Sequence, residues 1–338
     1  MKFKKYSSIE NSYREKEIKR IITSGIIDCC EWVVTEKIHG TNFSFISDGE
    51  NVKVAKRTSV LNDNELEKFY DADIMLENYR ESAKKVASFL ISQNPKIKQV
   101  QIFGEHFGGI FNGETKPGFT KIQKEVHYIP FTDFMVFDIM TVDEDENAEF
   151  LEWDKVKNLA FNCEFKVVPE LFRGTFEECL QFSNEFPTKI PELYGLNPIE
   201  GNICEGVVIK PVVNKTLPNG DRVILKNKND KFKEKGKIKK IKNKKQIVIT
   251  DEQRKWAEEI TKYFEVNRLH NLFSKGEVEK DWKQFGKIVG LFFKDALEDF
   301  IKDNPKFNEL DKGEKKIIQN LARPSAQEIV RDILKREI

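Results

Sequence analysis

The stretch Glu36-Lys37-Ile38-His39-Gly40-Thr41-Asn42 decides how this sequence folds, because it directly follows the apolar segment Trp32-Val33-Val34. The apolar segment predicts a buried strand, and alternation from Asn42 to Ile46 predicts a second strand that turns at Asp48-Gly49. Lys37 therefore stands just after a strand, and the glycine three positions on leaves backbone space for a ligand. Taken alone, this pattern is common at strand ends, and a solvated surface lysine is the alternative.

Charged residues also stand at the ends of later apolar segments. They are Glu105, Asp138, Glu205, Lys210, Lys226 and Lys228. Residues two apart on a strand face the same side, so Lys226 and Lys228 can point into one cleft. Placing charged groups beside apolar strands is costly unless they meet a charged ligand. The sequence therefore predicts a cleft in which these charges converge on such a ligand.

Strands and helices alternate in the first part of the chain, and helices alone follow. Apolar residues recur every three or four positions from Asp73 to Gln93, which predicts an amphipathic helix that ends before Pro95. Other predicted elements are strands at 100–103, 134–137, 206–209 and 222–225 and helices at 151–161 and 175–185. Beyond Thr250 the apolar spacing is helical, and the preference of proline for helix starts predicts a last helix that begins near Pro324.

A lysine-rich stretch from Lys226 to Lys245 marks the change in composition. We therefore predict an α+β fold with two domains, 1–240 and 241–338, the second small and all-helical. The lysine-rich stretch is a plausible path for a nucleic-acid backbone, although most such stretches are solvated linkers.

The composition is that of a folded protein, with 39% hydrophobic residues and 27 phenylalanines among 338. The charges nearly cancel, at 57 Lys and Arg against 56 Asp and Glu, so net charge gives no indication of a nucleic-acid partner. Five cysteines without a CxxC motif predict free thiols and no zinc site. No signal peptide or membrane span is predicted, so we expect a cytoplasmic protein, or one in the host cytoplasm if it is viral.

Six motifs, in the order in which they occur along the chain, resemble those of the covalent nucleotidyltransferases, a superfamily of ligases and capping enzymes. The motifs are Lys37-Ile38-His39-Gly40 with Asn42, Lys56-Arg57-Thr58, Phe103-Gly104-Glu105, Val136-Phe137-Asp138, Glu205-Gly206-Val207-Val208-Ile209-Lys210-Pro211 and Lys226-Asn227-Lys228. Within this superfamily the chain resembles the RNA ligase 2 family, which contains a phage nick-sealing RNA ligase and the trypanosome editing ligases. The opening Phe3–Asn11 and the closing Arg323-Pro324 also resemble the phage enzyme.

One residue favours this branch over the others. DNA ligases and capping enzymes carry Asp where this sequence has His39, and their OB-fold is replaced here by a helical region. Two alternatives stay open: a capping-type guanylyltransferase, and a non-catalytic RNA-binding protein. The intact Lys37, Glu105, Glu205 and Lys226 argue against a protein that only binds RNA.

The resemblance implies a nucleotidyltransferase domain, the ATP-grasp-like adenylation domain of ligases, in residues 1–240, and RNA engagement by residues 241–338. It also implies the residues of the active site. The catalytic set is Lys37, His39, Arg57 and Asp138, the nucleotide-binding set is Glu36, Lys37, Asn42, Glu105, Phe137, Lys226 and Lys228, and the metal ligand is Glu205.

The resemblance gives most of these residues a role. Phe137 stacks on adenine, Glu105 binds the ribose, and Lys226 and Lys228 contact the phosphates. Glu205 holds Mg²⁺ or Mn²⁺, and His39 contacts pyrophosphate or its metal. Asn42 and Arg57 act once RNA is bound, and Asp138 assists the later steps. Lys210 has no fixed task, and plain structural roles remain the alternatives for Phe137 and His39.

The implied reaction joins RNA ends at the expense of ATP. Lys37 takes AMP from ATP, AMP passes to an RNA 5′-phosphate, and the RNA 3′-hydroxyl displaces it. We expect Lys226, Lys228 and the metal to lower the pKa of Lys37, because a neutral amine is the nucleophile. The expected partner is nicked double-stranded RNA or an RNA–DNA hybrid, with RNA repair as the setting, and the expected state is a monomer.

Overall fold

The computed structural model describes residues 1–28, 30–232, 249–274, 276 and 278–335. These residues form two compact units. The described parts of the strand-rich unit are 1–14, 30–215 and 222–232, and those of the helical unit are 15–28, 216–221 and the residues from 249 onward. The predicted boundary at 240/241 lies outside the described residues, and so does most of the lysine-rich stretch.

Two sheets build the strand-rich unit, one with the order β1-β11-β10-β2-β9 and one with the order β4-β3-β5-β6-β7, where β8 pairs with β6. All pairs are antiparallel except β1 with β11 and β6 with β8. The strands are β1 (Glu10–Asn11), β2 (Trp32–Glu36), β3 (Thr41–Ser47), β4 (Val52–Lys56), β5 (Ile97–Ile110), β6 (Ile129–Asp143), β7 (Ala148–Phe150), β8 (Lys166–Val167), β9 (Glu170–Gly174), β10 (Gly206–Pro211) and β11 (Leu225–Lys228).

Ten α-helices accompany the strands among the described residues. They are α1 (Glu15–Thr23), α2 (Asp63–Leu66), α3 (Ala72–Gln93), α4 (Trp153–Asn162), α5 (Phe176–Gln181), α6 (Ile190–Leu193), α7 (Asp251–Thr261), α8 (Val266–Ser274), α9 (Phe285–Asp303) and α10 (Lys312–Lys335). The long helix α3 contacts β3, β4 and β5 and buries Met75, Ala83, Val86 and Leu90, as its apolar spacing predicted.

The helical unit has its own apolar core, which includes Phe292, Phe300 and Phe307. Helix α1 belongs to this unit although it lies near the start of the chain, and it contacts α10. The predicted α+β class with a helical C-terminal region is confirmed. In the parts of the chain that the structure describes, none of the helices combines the length and the apolar character that a membrane span needs.

Among the predicted boundaries that differ from the structure, two have a clear physical reason. The strand predicted at 222–225 begins only at Leu225, because Val223 donates its backbone N–H to Lys215 and the Arg222 side chain is buried in ion pairs. The last helix does not begin near Pro324, which lies inside α10. A stripe of buried residues four positions apart, from Ile318 to Val330, continues past the proline. This packing offsets the hydrogen bond that Pro324 cannot make.

Candidate active site

Side chains from both sheets line a cavity of about 550 Å³ in the strand-rich unit. All eleven residues of the predicted site line this cavity: Glu36, Lys37, His39, Asn42, Arg57, Glu105, Phe137, Asp138, Glu205, Lys226 and Lys228. The part that each residue plays in a reaction stays a prediction.

Lys37 is held at the end of β2 by the neighbouring strand. Its backbone N–H donates to the carbonyl of Gly206 at 2.9 Å, which continues the pairing of β2 with β10. Its ammonium nitrogen lies 2.7 Å from Oε2 of Glu205, and 19% of the side chain is exposed. The amine therefore reaches the cavity from a fixed backbone position.

The expected lowering of the pKa of Lys37 is wrong for this structure. Burial alone would lower it, but the carboxylates of Glu205 and Glu105 outweigh burial and raise the pKa of Lys37 above its ordinary value. The predicted cations near the amine would lower the pKa of Lys37, but the carboxylate of Glu205, which pairs with the amine, raises it.

Glu205 is the charged centre of the cavity, and only 4% of its side chain is exposed. Its second oxygen lies 3.0 Å from Nζ of Lys228, and Nδ1 of His39 lies 3.7 Å from the carboxylate. Burial alone would raise the pKa of Glu205, but His39, Lys37 and Lys228 lower it to about 2. The carboxylate is therefore ionised and shared among these three partners.

The backbone at Gly206 fixes where Glu205 points. Gly206 has a φ of 142°, and a Cβ there would lie 2.2 Å from the carbonyl oxygen of Asn227 on β11. The backbone N–H of Asn229 donates to the carbonyl of Glu205 at 2.8 Å. Only glycine allows β10 and β11 to approach this closely.

Two residues that sequence analysis missed hold His39. The hydroxyl of Tyr128 accepts the backbone N–H of His39 at 2.7 Å, and the Glu125 carboxylate lies 3.2 Å from Nε2 of the ring. Both lie in or next to the long connection between β5 and β6. With Glu205 on the Nδ1 side, carboxylates flank both nitrogens of the imidazole.

Glu105 lies opposite Asn42 in the pairing of β3 with β5. Its Oε1 accepts the backbone N–H of Gly40 at 3.1 Å, so the motif around Lys37 is tied to β5. Burial raises the pKa of Glu105 to about 7 although Lys37 lowers it. The carboxyl group is therefore partly protonated near neutral pH.

A β-bulge positions Phe137. Phe103 pairs with Asp138 and Gly104 pairs with Val136, so Phe137 is the extra residue of β6. A bulge changes the direction of one side chain relative to the sheet. The Lys210 ammonium donates to the carbonyl of Phe137 at 2.7 Å and so fixes the irregular backbone.

Asp138 is held in a buried network of charges. Lys210 and Arg222 lie 2.9 and 2.8 Å from its carboxylate, and the Tyr6 hydroxyl donates to it. Burial alone would raise its pKa, but Arg222 and Lys210 hold the pKa of Asp138 well below its usual range. The ring of Tyr6 also packs edge-on against Phe137, with centroids 5.0 Å apart. Asp138 thus has the contacts of a residue that organises the aromatic wall of the cavity.

Tyr6 and Arg222 had no predicted role in the site, and Lys210 had no predicted task. Tyr6 lies in the opening stretch that resembles the phage enzyme, which was the available signal. Arg222 was assigned to a strand, where its charge had no evident partner.

Two predicted residues lie at the limits of the cavity. Glu36 is 1% exposed, and its carboxylate accepts hydrogen bonds from the Thr188 hydroxyl and the backbone N–H of Lys189. Burial raises the pKa of Glu36 to about 7. Arg57 follows β4 and is exposed, with no ion-pair partner among the described residues.

Glu205 is the carboxylate best placed to hold a divalent cation. No group of three or more His, Cys, Asp or Glu residues with metal-site geometry occurs in the described ranges. A single carboxylate still fits magnesium, which binds one or two carboxylates and completes its shell with waters and substrate phosphates. Cys163, Cys179 and Cys204 are free thiols, as predicted.

Comparisons with known proteins agree with the motif order. The RNA ligase family model matches residues 30–228, and the model described as T4 RNA ligase 2 C-terminal matches residues 238–328. Mitochondrial RNA-editing ligase 1 of Trypanosoma brucei brucei is 29% identical over 365 residues, which cover 86% of this chain and 74% of the relative. Mitochondrial RNA-editing ligase 2 of the same organism is 28% identical over 363 residues, which cover 89% of this chain and 83% of the relative.

Solved structures of a Naegleria gruberi RNA ligase are also similar. The structure with PPi has a TM-score of 0.42 at 15% identity, covering 68% of this chain and 57% of the Naegleria chain, which is less than two thirds of its length. A mutant of that ligase was solved with ATP and Mn and has a TM-score of 0.43. Because the first family model matches more than half of the chain and the second matches the region after it, the chain belongs to the RNA ligase family, in its RNA ligase 2 branch.

Proposed function

We propose that the chain is an ATP-dependent RNA ligase that seals nicks between a 3′-hydroxyl and a 5′-phosphate in double-stranded RNA. The reaction proceeds through a covalent Lys37–AMP and then an RNA-adenylate. Family membership supports RNA joining, and one observation carries the covalent step. The amine of Lys37 lies among Glu205, Glu105 and Lys228 in a cavity of about 550 Å³, a size typical of small-ligand sites.

The nucleotide site follows from the walls of this cavity. Phe137 offers an aromatic face for adenine, and its bulge and the edge of Tyr6 fix the ring. Glu105 hydrogen-bonds the ribose, for which its partly protonated carboxyl can both donate and accept. Lys226 and Lys228 contact the phosphates, and their charge stabilises the transition state of phosphoryl transfer.

The first step transfers AMP to the protein. The neutral amine of Lys37 attacks the α-phosphorus, a P–N bond forms, and the bond to the bridging oxygen breaks as pyrophosphate leaves. Lys37 must first lose a proton to the solvent, and its ion pair with Glu205 opposes that loss. We infer that the substrate-bound site weakens this pair.

Glu205 is the residue that would hold the divalent cation, with waters and phosphate oxygens as the remaining ligands. A bound Mg²⁺ or Mn²⁺ would offset charge on the phosphates and compete with Lys37 for the carboxylate. His39, beside both Glu205 and Glu125, is positioned to contact the leaving pyrophosphate.

Two further steps complete the joining. An oxygen of the RNA 5′-phosphate attacks the phosphorus of Lys37–AMP, and the amine of Lys37 leaves. The RNA 3′-hydroxyl then attacks the activated 5′-phosphate, loses its proton, and displaces AMP. The exposed guanidinium of Arg57 suits bidentate binding of the 5′-phosphate, and Asn42 acts with it. Asp138 supports these steps by holding Lys210 and Arg222 in place.

The proposed substrate is a nicked RNA duplex or an RNA–DNA hybrid, and the proposed setting is RNA repair by a cytoplasmic monomer. Proteins recognise double-stranded RNA mainly by its shape, phosphates and 2′-hydroxyls. The helical unit is the proposed site of such recognition.

A label-transfer experiment tests the proposal. The full chain is incubated with α-labelled ATP and Mg²⁺ and then chased with a nicked RNA duplex. The label is expected first on the protein and then on the RNA. Lys37→Ala should take up none, whereas Lys53→Ala, at an exposed lysine of β4 outside the cavity, should behave as the wild type.

Three outcomes would overturn the proposal. Label on Lys37→Ala would exclude Lys37 as the nucleophile, and label from GTP instead of ATP would favour a guanylyltransferase. A labelled wild type that never passes AMP to RNA would exclude ligation.

A further inference from the structure

We propose that a groove on the helical unit, between α1, residues 216–221 and α10, binds the ribose–phosphate backbone of the RNA substrate. The inference rests on the proposed function, since it assigns a contact site for the same substrate. The groove has a volume of about 280 Å³, and all its lining residues belong to the helical unit. Those used in the argument are Arg20, Thr23, Asn320, Arg323 and Gln327.

Arg323 is the charge that the groove offers to a ligand. Three arginines of this unit are neutralised by ion pairs, Arg20 with Glu17, Arg254 with Asp28, and Arg268 with Asp295. Arg323 has no acidic partner among the described residues, and its guanidinium lies 4.8 Å from the ring centre of Phe293. Stacking on an aromatic ring holds a guanidinium in place without neutralising it.

Two amides lie on the same face of α10 as Arg323. Asn320 and Gln327 stand three positions before it and four positions after it, which places all three side chains side by side on the helix. Neither amide has a hydrogen-bond partner in the described part of the chain. The groove therefore combines one unneutralised guanidinium with two amides free to donate and accept.

Helix α1 extends the positive charge beyond the groove. Lys16, Lys19 and Thr23 follow one another at three- and four-residue spacing, so the two exposed lysines lie on the face that ends at the groove. Arg20 adds little, because Glu17 and Asp221 lie 2.6 and 3.2 Å from its guanidinium. The net charge along this face is positive.

These groups suit a ribose–phosphate chain. Arginine, asparagine and glutamine side chains make many of the contacts to phosphate and sugar oxygens in nucleic-acid complexes. None of the described residues that line the groove is aromatic, so stacking with bases is not favoured. An RNA duplex, which exposes phosphates and 2′-hydroxyls, matches this chemistry.

Binding of a nicked RNA duplex at several salt concentrations tests the inference. The probe is a fluorescent duplex with a 5′-hydroxyl at the nick, so that no joining occurs, and anisotropy gives the Kd. Arg323→Gln is expected to weaken binding roughly tenfold and to reduce the slope of log K against log salt by about 1. Asn320→Ala combined with Gln327→Ala should also weaken binding but leave the slope unchanged, because no charge is lost.

Lys306→Gln is the matched control, since Lys306 is an exposed lysine of the helical unit that lies outside α10 and does not line the groove. It should keep the Kd and the salt slope of the wild type. All variants should keep wild-type labelling by α-labelled ATP and a wild-type melting temperature, which separates loss of RNA contact from loss of folding.

The inference is overturned if Arg323→Gln binds RNA with the wild-type Kd and slope, or if Lys306→Gln loses as much as Arg323→Gln. It is also overturned if the double amide variant binds as the wild type does. A wild-type protein that takes no label from ATP would instead contradict the proposed function, and the RNA-binding comparison would still be decided.

Discussion

Lys37 and Glu205 form an ion pair across 2.7 Å, between a residue just after β2 and a residue just before β10. The carboxylate stabilises the ammonium form, so the protein holds its proposed nucleophile in the unreactive protonation state. Any event that draws Glu205 away frees the amine. The pair therefore couples the proposed metal ligand to the proposed nucleophile.

Glu205→Gln should make Lys37 more reactive toward a simple acylating reagent while lowering its labelling by ATP. Removing the carboxylate lowers the pKa of Lys37, which increases the neutral fraction at pH 8, but it also removes the proposed metal ligand. Competitive acetylation followed by mass spectrometry gives the reactivity of the Lys37 amine, with the exposed Lys68 as internal standard. Unchanged acetylation of Lys37 would contradict the role given to the ion pair.

Glu36→Gln should change how stability depends on pH. The pKa of Glu36 is about 7 in the folded protein and 4.5 in the unfolded chain, so folding favours the protonated form. Its contribution to stability is present below pH 4.5 and is lost as pH rises through 7. Glutamine stays neutral, so the melting temperature of the variant minus that of the wild type should grow by several degrees from pH 5 to pH 8. A difference that stays constant between the two pH values would contradict the prediction, and Glu50→Gln at an exposed position is the control variant.

Phe137→Ala should weaken ATP binding about tenfold, since stacking of a base on an aromatic ring contributes about 1–3 kcal/mol. Phe137→Tyr keeps the ring and should bind ATP nearly as the wild type does. Each Phe137 variant is combined with Lys37→Ala, and the equilibrium binding of ATP is measured. Without Lys37 no covalent step follows, so the measurement reports ATP binding alone. If both Phe137 variants bind ATP equally, the ring serves only in core packing.

Gly206→Ala should disrupt the site more than any glycine substitution in a helix. Its Cβ would lie 2.2 Å from the Asn227 carbonyl at a φ of 142°, so the β10–β11 contact that aims Glu205 must open. We expect a lower melting temperature and little labelling by ATP. Gly290→Ala in α9, where a Cβ meets no atom within 4 Å, should be neutral or stabilising. Wild-type labelling of Gly206→Ala would contradict the proposed control of Glu205.

Local patterns in the sequence predicted much of this fold. The apolar spacing predicted α3, and the ordered motifs predicted which residues share the cavity. Strand length was harder to predict: β5 was expected at 100–103 and extends over Ile97–Ile110, because its glycines interrupt the apolar pattern. One of them, Gly104, lies where a Cβ would be 2.3 Å from the Met135 carbonyl, so the absence of a side chain permits the pairing with β6.

Contacts between distant segments could not be predicted in this way. Glu125 reaches His39 only because of the path of the long connection between β5 and β6. One partner of Asp138 is Arg222, 84 positions away, and no local pattern relates them. The same reason explains the error about Lys37, since Glu205 comes next to it only through the pairing of β2 with β10.

The membership of α1 in the helical unit has a practical consequence for dissecting the protein. Cutting the chain at residue 240 would retain α1 and remove α10, the helix that it contacts. The shortened protein would expose to water the part of α1 that α10 covers in the intact chain, and a newly exposed apolar patch favours aggregation. Aggregation of such a fragment would therefore result from the loss of the helix that α1 contacts, and not from a defect in the nucleotide site.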